Sequence, residues 1–499
     1  MKLVPWLAAA GSGVALALAL PGLAWFPLLL LFPPLLLEAV NRAGSWRSAL
    51  GLGWLAGSVH WLVAVTWVVP VMHDYGGLHL IAAVLCLIVM AGLLGLSWAA
   101  TAWLTRIAPT PLQVWLMPAA WCAIEASRQL PPYAFPWNTT ATAVAGQPWA
   151  LASLPVWGAT GLAWALTMAG SGLWGVARPA ARRSGALAVT AAAGLVALLS
   201  ALAPQPAPHG EPLTLAVLQP DTALEEKWDP AFRAEIVERV WRLTEQAADA
   251  GAEVVLWPES AVPMTLEGDP TYRAQLVDLA RGRELTLVLN SLASTASGGY
   301  TNSAFVVSPS GVSPVRYDKV RLVPFGEYVP ALFRIAFTES LVREVPSFTA
   351  GRAVRTLPAR AELGMSICYE IVFADLVTAQ VRQGATVLGT ITNDGWYGFS
   401  WAPEQHLAHA MLRAAENRRW VVRAALTGIS ALVNPRGEVV QRLELGESGF
   451  LVADVQPCVG LTPRARWGDW WGFVCGLASA AIIAWARVRV RRMRTRRPR

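Results

Sequence analysis

Charge is scarce in this chain of 499 residues: Asp, Glu, Lys and Arg fill 15% of positions, against 55% hydrophobic residues. That balance excludes a disordered chain and an ordinary soluble globule, whose charged share is about a quarter. Cysteine is scarce too, and the five present show neither disulfide-framework nor metal-ligand spacing. Cys86, Cys122 and Cys475 fall in apolar runs, where the residue reads as a small hydrophobe; only Cys368 and Cys458 lie in a polar segment. No nucleotide, flavin or metal motif is present, so no cofactor and no metal are expected. His406 and His409, three apart, lack a third ligand and read as an ordinary helix face. The net charge of +7 does not point to nucleic acid, because eight arginines crowd into the last thirteen residues, directly after the apolar stretch ending near Trp485. That placement belongs to a cytoplasmic tail against an anionic lipid surface.

Long apolar runs are what the chain has in plenty. Eight of them read as membrane spans, at roughly residues 5–20, 22–38, 49–70, 78–104, 112–128, 155–177, 185–203 and 467–486. The second and fifth are short and interrupted by Pro33, Pro34 and Pro118. A cleaved signal peptide is the competing reading of the first, since Lys2 precedes it. With the amino terminus in the cytoplasm, the inside segments hold Lys2, Arg42, Arg47, Arg106, Arg178, Arg182, Arg183 and the arginine tail, while Arg128 is the outside exception. The expected organisation is a transmembrane region of about seven helices over 1–204, an extracytoplasmic domain over 205–466, a last span over 467–486 and an Arg-rich cytoplasmic tail over 487–499.

The polar segment reads as α/β. Strand-like runs occur at Leu213 to Leu218, Glu253 to Trp257, Leu285 to Leu289, Ala304 to Val307, Leu363 to Ile367, Thr386 to Thr390 and Trp420 to Ala424. Helical spacing occupies Ala231 to Ala250, Tyr272 to Arg281, Ile371 to Arg382 and Glu404 to Arg418. Such alternation indicates a layered domain, and about 260 residues suffice to bury its core. In α/β domains reactive groups gather beyond the carboxyl ends of strands. Three residues fit that position: Glu259 in WPES, Lys319 at the head of KVRLVPFGEYVP, and Cys368 in SICYE, directly before a helix. A thiol attacks as thiolate and needs a base, which Glu259 could be; a fixed ammonium such as Lys319 would stabilise the oxyanion that forms. The helix after Cys368 would add a positive dipole end. Each residue also has a plainer reading, the cysteine as packing, the glutamate as a cap and the lysine as a solvated cation.

The strings WPES, KVRLVPFGEYVP and SICYE, followed by TNDGWYG and ENRRWVVRAALTGIS, closely resemble the Glu-Lys-Cys motifs of the nitrilase (carbon-nitrogen hydrolase) superfamily. Set between seven spans and one, that domain resembles the apolipoprotein N-acyltransferase family. The resemblance implies an αββα sandwich beside the transmembrane bundle and a ping-pong transfer. Cys368 would accept an acyl chain from a phospholipid, with Glu259 as base and Lys319 at the oxyanion. The thioester would then acylate the free α-amine of a diacylglyceryl-cysteine apolipoprotein. The resemblance further implies supporting roles for Glu327, Tyr369 and Glu370, and substrate contacts for Trp228 and Trp396. It implies a monomer in the bacterial inner membrane with its catalytic domain in the periplasm. Glu327 and Glu370 could instead pair with Arg321, Tyr369 could simply pack, and both tryptophans could be interfacial anchors. Leu426 and Thr427 stand where family members often carry Asn, so altered pocket detail is expected there. Glu125, a carboxylate within a span, reads as bundle-facing or near an interface. Residues 331–348 and 396–401 are expected to gate lipid access. A membrane-tethered amidase acting on a soluble C–N bond would share the three residues without needing eight spans, and a scaffold with a relict domain would not need the three residues at all.

Overall fold

The computed structural model describes residues 3–130, 134–227, 229–295, 298–328 and 348–495. Trp228, and most of the 331–348 segment expected to gate access, lie outside the described residues. The chain divides into two compact units, one of Met1–Pro204, Ser400–Ala408 and Trp467–Arg499, the other of Gln205–Phe399 and His409–Arg466.

The first unit is helical, with long helices at Val4–Ala19, Phe32–Arg42, Trp46–Ala64, Leu80–Ile107, Thr110–Ser127, Leu154–Val176, Arg182–Leu202 and Trp470–Thr495. Among the described residues, three stretches are long and apolar enough to cross a membrane: Leu80–Ile107, Pro179–Leu202 and Trp470–Val488. Trp46–Ala64 with Val68–Tyr75 makes a fourth if that pair, bent by 68°, counts as one. Leu80–Ile107 leaves Ile81, Leu85, Ile88, Val89, Leu93 and Leu96 exposed, a surface that suits hydrocarbon because the helix has already satisfied its own backbone. Other apolar runs are shortened or broken by their own sequence. Val4–Ala19 has 16 residues, Pro118 sits inside Thr110–Ser127, and Gly158 at φ 70° interrupts Leu154–Val176.

Glycine sets how closely these helices pack. A Cβ added at Gly53 would lie 2.7 Å from the Trp98 carbonyl oxygen, and one at Gly57 would lie 2.8 Å from the Gly95 Cα. Trp46–Ala64 therefore meets Leu80–Ile107 backbone to backbone, which only small residues allow. Ser400–Ala408 is fastened into the unit by Gln405. The fully buried amide accepts from the Trp137 indole at 2.9 Å and the Trp67 indole at 3.2 Å, and donates to the Ala64 carbonyl at 3.0 Å. His406 stacks on Trp137.

Besides a two-stranded ribbon of Ala207–Pro208 with Cys458–Val459, the second unit holds two larger sheets. One contains β1 (Leu213–Gln219), β2 (Val254–Leu256), β3 (Thr286–Ser294), β4 (Tyr300–Ser308), β5 (Gly311–Val312), β6 (Tyr317–Asp318) and, last in the chain, β13 (Gly449–Val455). The other contains β7 (Thr356–Pro358), β8 (Glu362–Ile367), β9 (Val387–Thr392), β10 (Val421–Ala425), β11 (Ser430–Val433) and β12 (Val439–Leu443). The first runs β13-β1-β2-β3-β4-β5, with β6 paired to β4; the second runs β12-β11-β10-β9-β8-β7. Strands β1 to β3 are parallel, as are β8 to β10, so the carboxyl ends that carry loops lie together within each sheet.

Side-chain alternation makes the layers. Leu215 and Val217 of β1, Leu256 of β2, Met365 and Ile367 of β8, and Val387 and Ile391 of β9 share one buried core between the sheets. The alternate residues Ala216, Leu218, Val255 and Leu287 face Val240 and Leu243 of the helix Arg233–Asp249 and Leu276 of the helix Pro270–Gly282. On the outer face of β8, a Cβ at Gly364 would sit 3.0 Å from Gln380 in the helix Ala374–Arg382. The result is an αββα sandwich.

Gly389 of β9 is the narrow point between the sheets, since a Cβ there would meet Met365 Sδ at 2.6 Å and Leu256 Cδ2 at 3.3 Å. Gly389→Val should therefore cost about 1–3 kcal/mol through overpacking. Gly389→Ala should cost less, because the Met365 side chain can swing aside; thermal unfolding midpoints of the two purified variants check the order.

Candidate active site

Glu259 follows β2 after the Trp257-Pro258 turn, and Ser260 behind it has φ 51°, held because its N–H donates to Asn290 Oδ1 at 2.9 Å. The carboxylate is gripped at both oxygens. Oε1 accepts from Asn302 Nδ2 at 2.8 Å and Oε2 from the Asn393 N–H at 3.2 Å. Asn302 also donates to Glu327 Oε1 at 3.1 Å, and its own carbonyl accepts from Asn290 at 2.6 Å. Lys319 leaves β6 with its N–H on the Asn302 carbonyl at 2.8 Å. Its ammonium, 1% exposed, reaches Glu327 Oε1 at 2.9 Å and Glu259 Oε1 at 3.6 Å. Glu327 is turned inward by the Val323 N–H, which donates to Oε2 at 2.8 Å. Burial pushes the Lys319 ammonium down, yet Glu327, Glu259 and the Cys368 sulfur together outweigh it and hold the group above its ordinary value.

Cys368 sits at the end of β8 with φ 54°, a left-handed conformation that a side chain rarely adopts. The sulfur lies within the fields of Glu259, Lys319 and Asp394 and within hydrogen-bond reach of Thr392. Burial pushes the thiol up to about 12; the Glu259 charge adds to that rise, while Lys319 and Thr392 oppose it. The expected helix directly after Cys368 is a 3₁₀ turn over Cys368–Val372, and the α-helix proper begins only at Ala374. A five-residue 3₁₀ turn aligns few peptide dipoles, so charge stabilisation at the sulfur comes from Lys319 instead.

The turn is held by Glu370. Its Oε1 accepts from the N–H groups of Val320 at 2.7 Å and Arg321 at 2.9 Å, its Oε2 from the Ile367 N–H at 2.9 Å, and both oxygens from the Tyr317 hydroxyl at 2.9 Å. One carboxylate thus ties the loop after Lys319 to the turn that presents Cys368. Burial pushes Glu370 up to about 7 against the pull of these donors. Arg321 does not pair with it by charge; its guanidinium lies over the Phe373 ring. Tyr369 is buried edge-on against Phe373, and Trp396 is 41% exposed.

Several contributors have no counterpart among the residues singled out by sequence. Asn302 couples two carboxylates from inside a strand. Asp394, in the NDG turn after β9, pairs with Arg423 of β10, both fully buried, and Arg423 Nε donates to the Ile429 carbonyl at 2.9 Å. Gly428, at φ 149°, leaves room for Asp394, since a Cβ there would lie 2.7 Å from the Asp394 Cβ. An arginine inside the apolar run WVVRAAL was the legible signal for that pair. Leu426 and Thr427 hold the loop after β1, through Asp221 N–H to the Leu426 carbonyl at 2.9 Å and the Thr427 hydroxyl to the Thr222 carbonyl at 2.8 Å.

Every oxygen of Glu370 faces donors, so Glu370→Gln must aim an amide NH₂ at a backbone N–H. It should cost about 1–3 kcal/mol, the usual cost of an unsatisfied buried group, lowering the unfolding midpoint and the reactivity of Cys368 together. The position of the thiol near 12 also predicts its titration. Alkylation of Cys368 by a small uncharged reagent should be slow at pH 7 and keep rising beyond pH 10; a plateau near pH 8 would show a thiolate that forms at rest.

Residues 214–464 match the Carbon-nitrogen hydrolase family, and residues 12–172 match the Apolipoprotein N-acyltransferase N-terminal domain. Among curated proteins, the apolipoprotein N-acyltransferase of Geobacter metallireducens is 33% identical over 96% of this chain and 94% of its own length. That of Gloeobacter violaceus is 33% identical over 96% and 92%, and that of Azotobacter vinelandii 32% over 97% and 95%. With both units matched in order along nearly the whole length, the chain belongs to the apolipoprotein N-acyltransferase family.

Proposed function

We propose that the protein moves an acyl chain from a phospholipid to the α-amine of a diacylglyceryl-cysteine apolipoprotein through a thioester on Cys368. One observation carries the reading: a cysteine, a carboxylate and an ammonium from three separate loops are buried within interaction range of one another, in a chain whose other unit is an apolar helical bundle. Because the thiol sits near 12, its proton leaves during attack and not before. Glu259 takes that proton as sulfur bonds to the ester carbonyl carbon, and the oxyanion that forms is held by Lys319. The C–O bond then breaks, Glu259 returns the proton to the departing oxygen, and a lysophospholipid leaves. In the second half, the neutral amine attacks the thioester. Its proton passes through Glu259 to the sulfur as the C–S bond breaks, restoring the thiol. No redox or cofactor step is needed for these bonds to balance.

Glu327 keeps Lys319 aimed, Glu370 fixes the nucleophile turn, and Tyr369 and Trp396 line the approach; Trp228, outside the described residues, keeps the substrate-contact role that the family resemblance implies. The finer placement is also part of the proposal: eight spans including the bent and short helices, residues 205–466 on the periplasmic side of the inner membrane, the arginine tail inside, and a monomeric enzyme. Arginine bias across the loops supports the orientation. Drawing an acyl chain into water would cost about 0.8 kcal/mol per methylene, which favours a catalytic unit anchored at the bilayer. The soluble-amide reading gives the bundle no purpose and is not favoured by the family.

Incubating the purified protein with a phospholipid should add the mass of one acyl chain to the peptide containing Cys368, released by neutral hydroxylamine and absent in Cys368→Ala. Persistent absence in the unmodified protein would sink the acyl-transfer reading. Lys319→Met should slow this acylation roughly 100- to 1,000-fold, as loss of an oxyanion donor does.

A further inference from the structure

Lysine occurs at only three positions, 2, 227 and 319, among the 40 Lys and Arg residues of the chain. Two of the three are buried in the α/β unit: Lys319 in the site and Lys227, 3% exposed, in the loop after β1. That loop is built onto the site. Asp221 and Thr222 are hydrogen bonded to Leu426 and Thr427, and a Cβ at Gly395 would lie 3.2 Å from Leu224. The helical turn Leu224–Lys227 therefore lies against the Asn393–Gly395 loop, whose Asn393 N–H holds Glu259. The charge of Glu259 acts on the Lys227 ammonium, opposing the burial that pushes it down to about 8, so the group is a cation at neutral pH.

Charge accounting says why a cation is needed. Among the described residues the site holds the carboxylates Glu259, Glu327, Glu370 and Asp394. Asp394 is matched by Arg423, and Lys319 is shared by Glu259 and Glu327. With Glu370 near 7, these groups carry no net positive charge before any substrate arrives, even when Lys227 is counted. A glycerophospholipid brings a further negative charge, its phosphodiester, only a few bonds from the ester that Cys368 attacks. Without Lys227 the buried site would be net negative and would repel that donor.

We propose that Lys227 receives the phosphodiester of the acyl donor and so selects anionic glycerolipid esters over uncharged ones. The assignment rests on the acyl-transfer reading above and adds the donor's recognition to it. An ammonium is a compact phosphate partner, and near the base it lets the phosphate approach without unseating Glu259. No new bond chemistry is involved.

The test compares two acyl donors of the same chain length on the full-length protein in detergent: a phosphatidyl donor and the nitrophenyl ester of the same fatty acid, which carries no phosphate. Acylation of Cys368 is followed by mass spectrometry. Lys227→Met should lower kcat/KM for the phospholipid roughly 10- to 100-fold more than for the nitrophenyl ester, the span expected for losing a charge-assisted contact. The loss should appear mainly in KM, and Lys227→Arg should recover at least part of the preference. Raising salt should narrow the wild-type preference. Equal losses on both donors would overturn the assignment, making Lys227 a residue that acts through Glu259 or the fold; so would no loss on either donor. Failure of the wild-type protein to acylate Cys368 with phospholipid, while the nitrophenyl ester reacts, would instead sink the donor reading itself, and unfolding midpoints of both variants separate these results from misfolding.

Discussion

A single ammonium holds two carboxylates together at the centre of the α/β unit. Glu259 and Glu327 both accept from the same Asn302 amide, which brings their oxygens close enough that two bare charges would repel by a few kcal/mol even at an effective dielectric near 20. Lys319 makes that arrangement possible. In return the carboxylates keep it charged despite complete burial. Removing one member of such a cluster leaves an uncompensated buried charge, the costly case among buried ion pairs. The loop carrying Glu327, the strand carrying Asn302 and the turn carrying Glu259 are therefore positioned by the same charge that serves the proposed chemistry. Stability and reactivity are not separable here.

A second constraint concerns the backbone. Holding Cys368 at φ 54° costs of order 1–3 kcal/mol and persists only if its surroundings over-determine it. Glu370 supplies that: Ile367 before the strained residue and Val320 and Arg321 beyond Lys319 all donate to one buried side chain. The proposed nucleophile and the ammonium thus share an anchor, so a shift of one carries the other with it. On the opposite flank, the Arg423–Asp394 pair and the space at Gly428 hold the loop whose N–H fixes Glu259. The sulfur is surrounded by parts that cannot relax independently.

Much of this was legible in the sequence, for identifiable reasons. The strand runs ending at Trp257, Ile367 and Thr390 are continuous apolar segments of parallel strands buried on both faces, and such strands announce themselves. Glu259, Lys319 and Cys368 were legible because each sits in a distinctive string at a strand end, whereas Glu327 and Glu370 were named through the family resemblance. What was missed lies where periodicity is weak or chemistry is hidden. β11 is a four-residue buried stretch, β12 and β13 mix polar residues such as Gln441 and Asp454 with short apolar stretches, and β12 forms the sheet edge. β4 begins at Tyr300, four residues before its apolar run, because antiparallel pairing with β3 extends through Thr301, Asn302 and Ser303. Asn302 hides for the same reason: its role depends on which carboxylates meet it in space. In the helical unit, the run at 49–70 reads as one span by composition, but Val65 leaves helical geometry and the pair bends.

On the proposed orientation, the buried thiol also resolves a tension that an extracytoplasmic nucleophile would face. A cysteine activated at rest, with a depressed pKa and open access, is the kind that oxidises or forms mixed disulfides. Here Cys368 is nearly inaccessible and pushed upward by burial and by its own base, so it rests as the inert form. Cys458, the other cysteine of this unit, is also buried and free. Reactivity then has to come from the substrate. In the proposed mechanism, only when an ester carbonyl occupies the place beside Lys319 does transferring the proton to Glu259 produce a stabilised charge, because the oxyanion takes up the ammonium field that an isolated thiolate would have to share with two carboxylates. The same high thiol value that slows chance reactions makes the sulfur a strong nucleophile once its proton is gone, so protection and catalysis follow from one arrangement of charges.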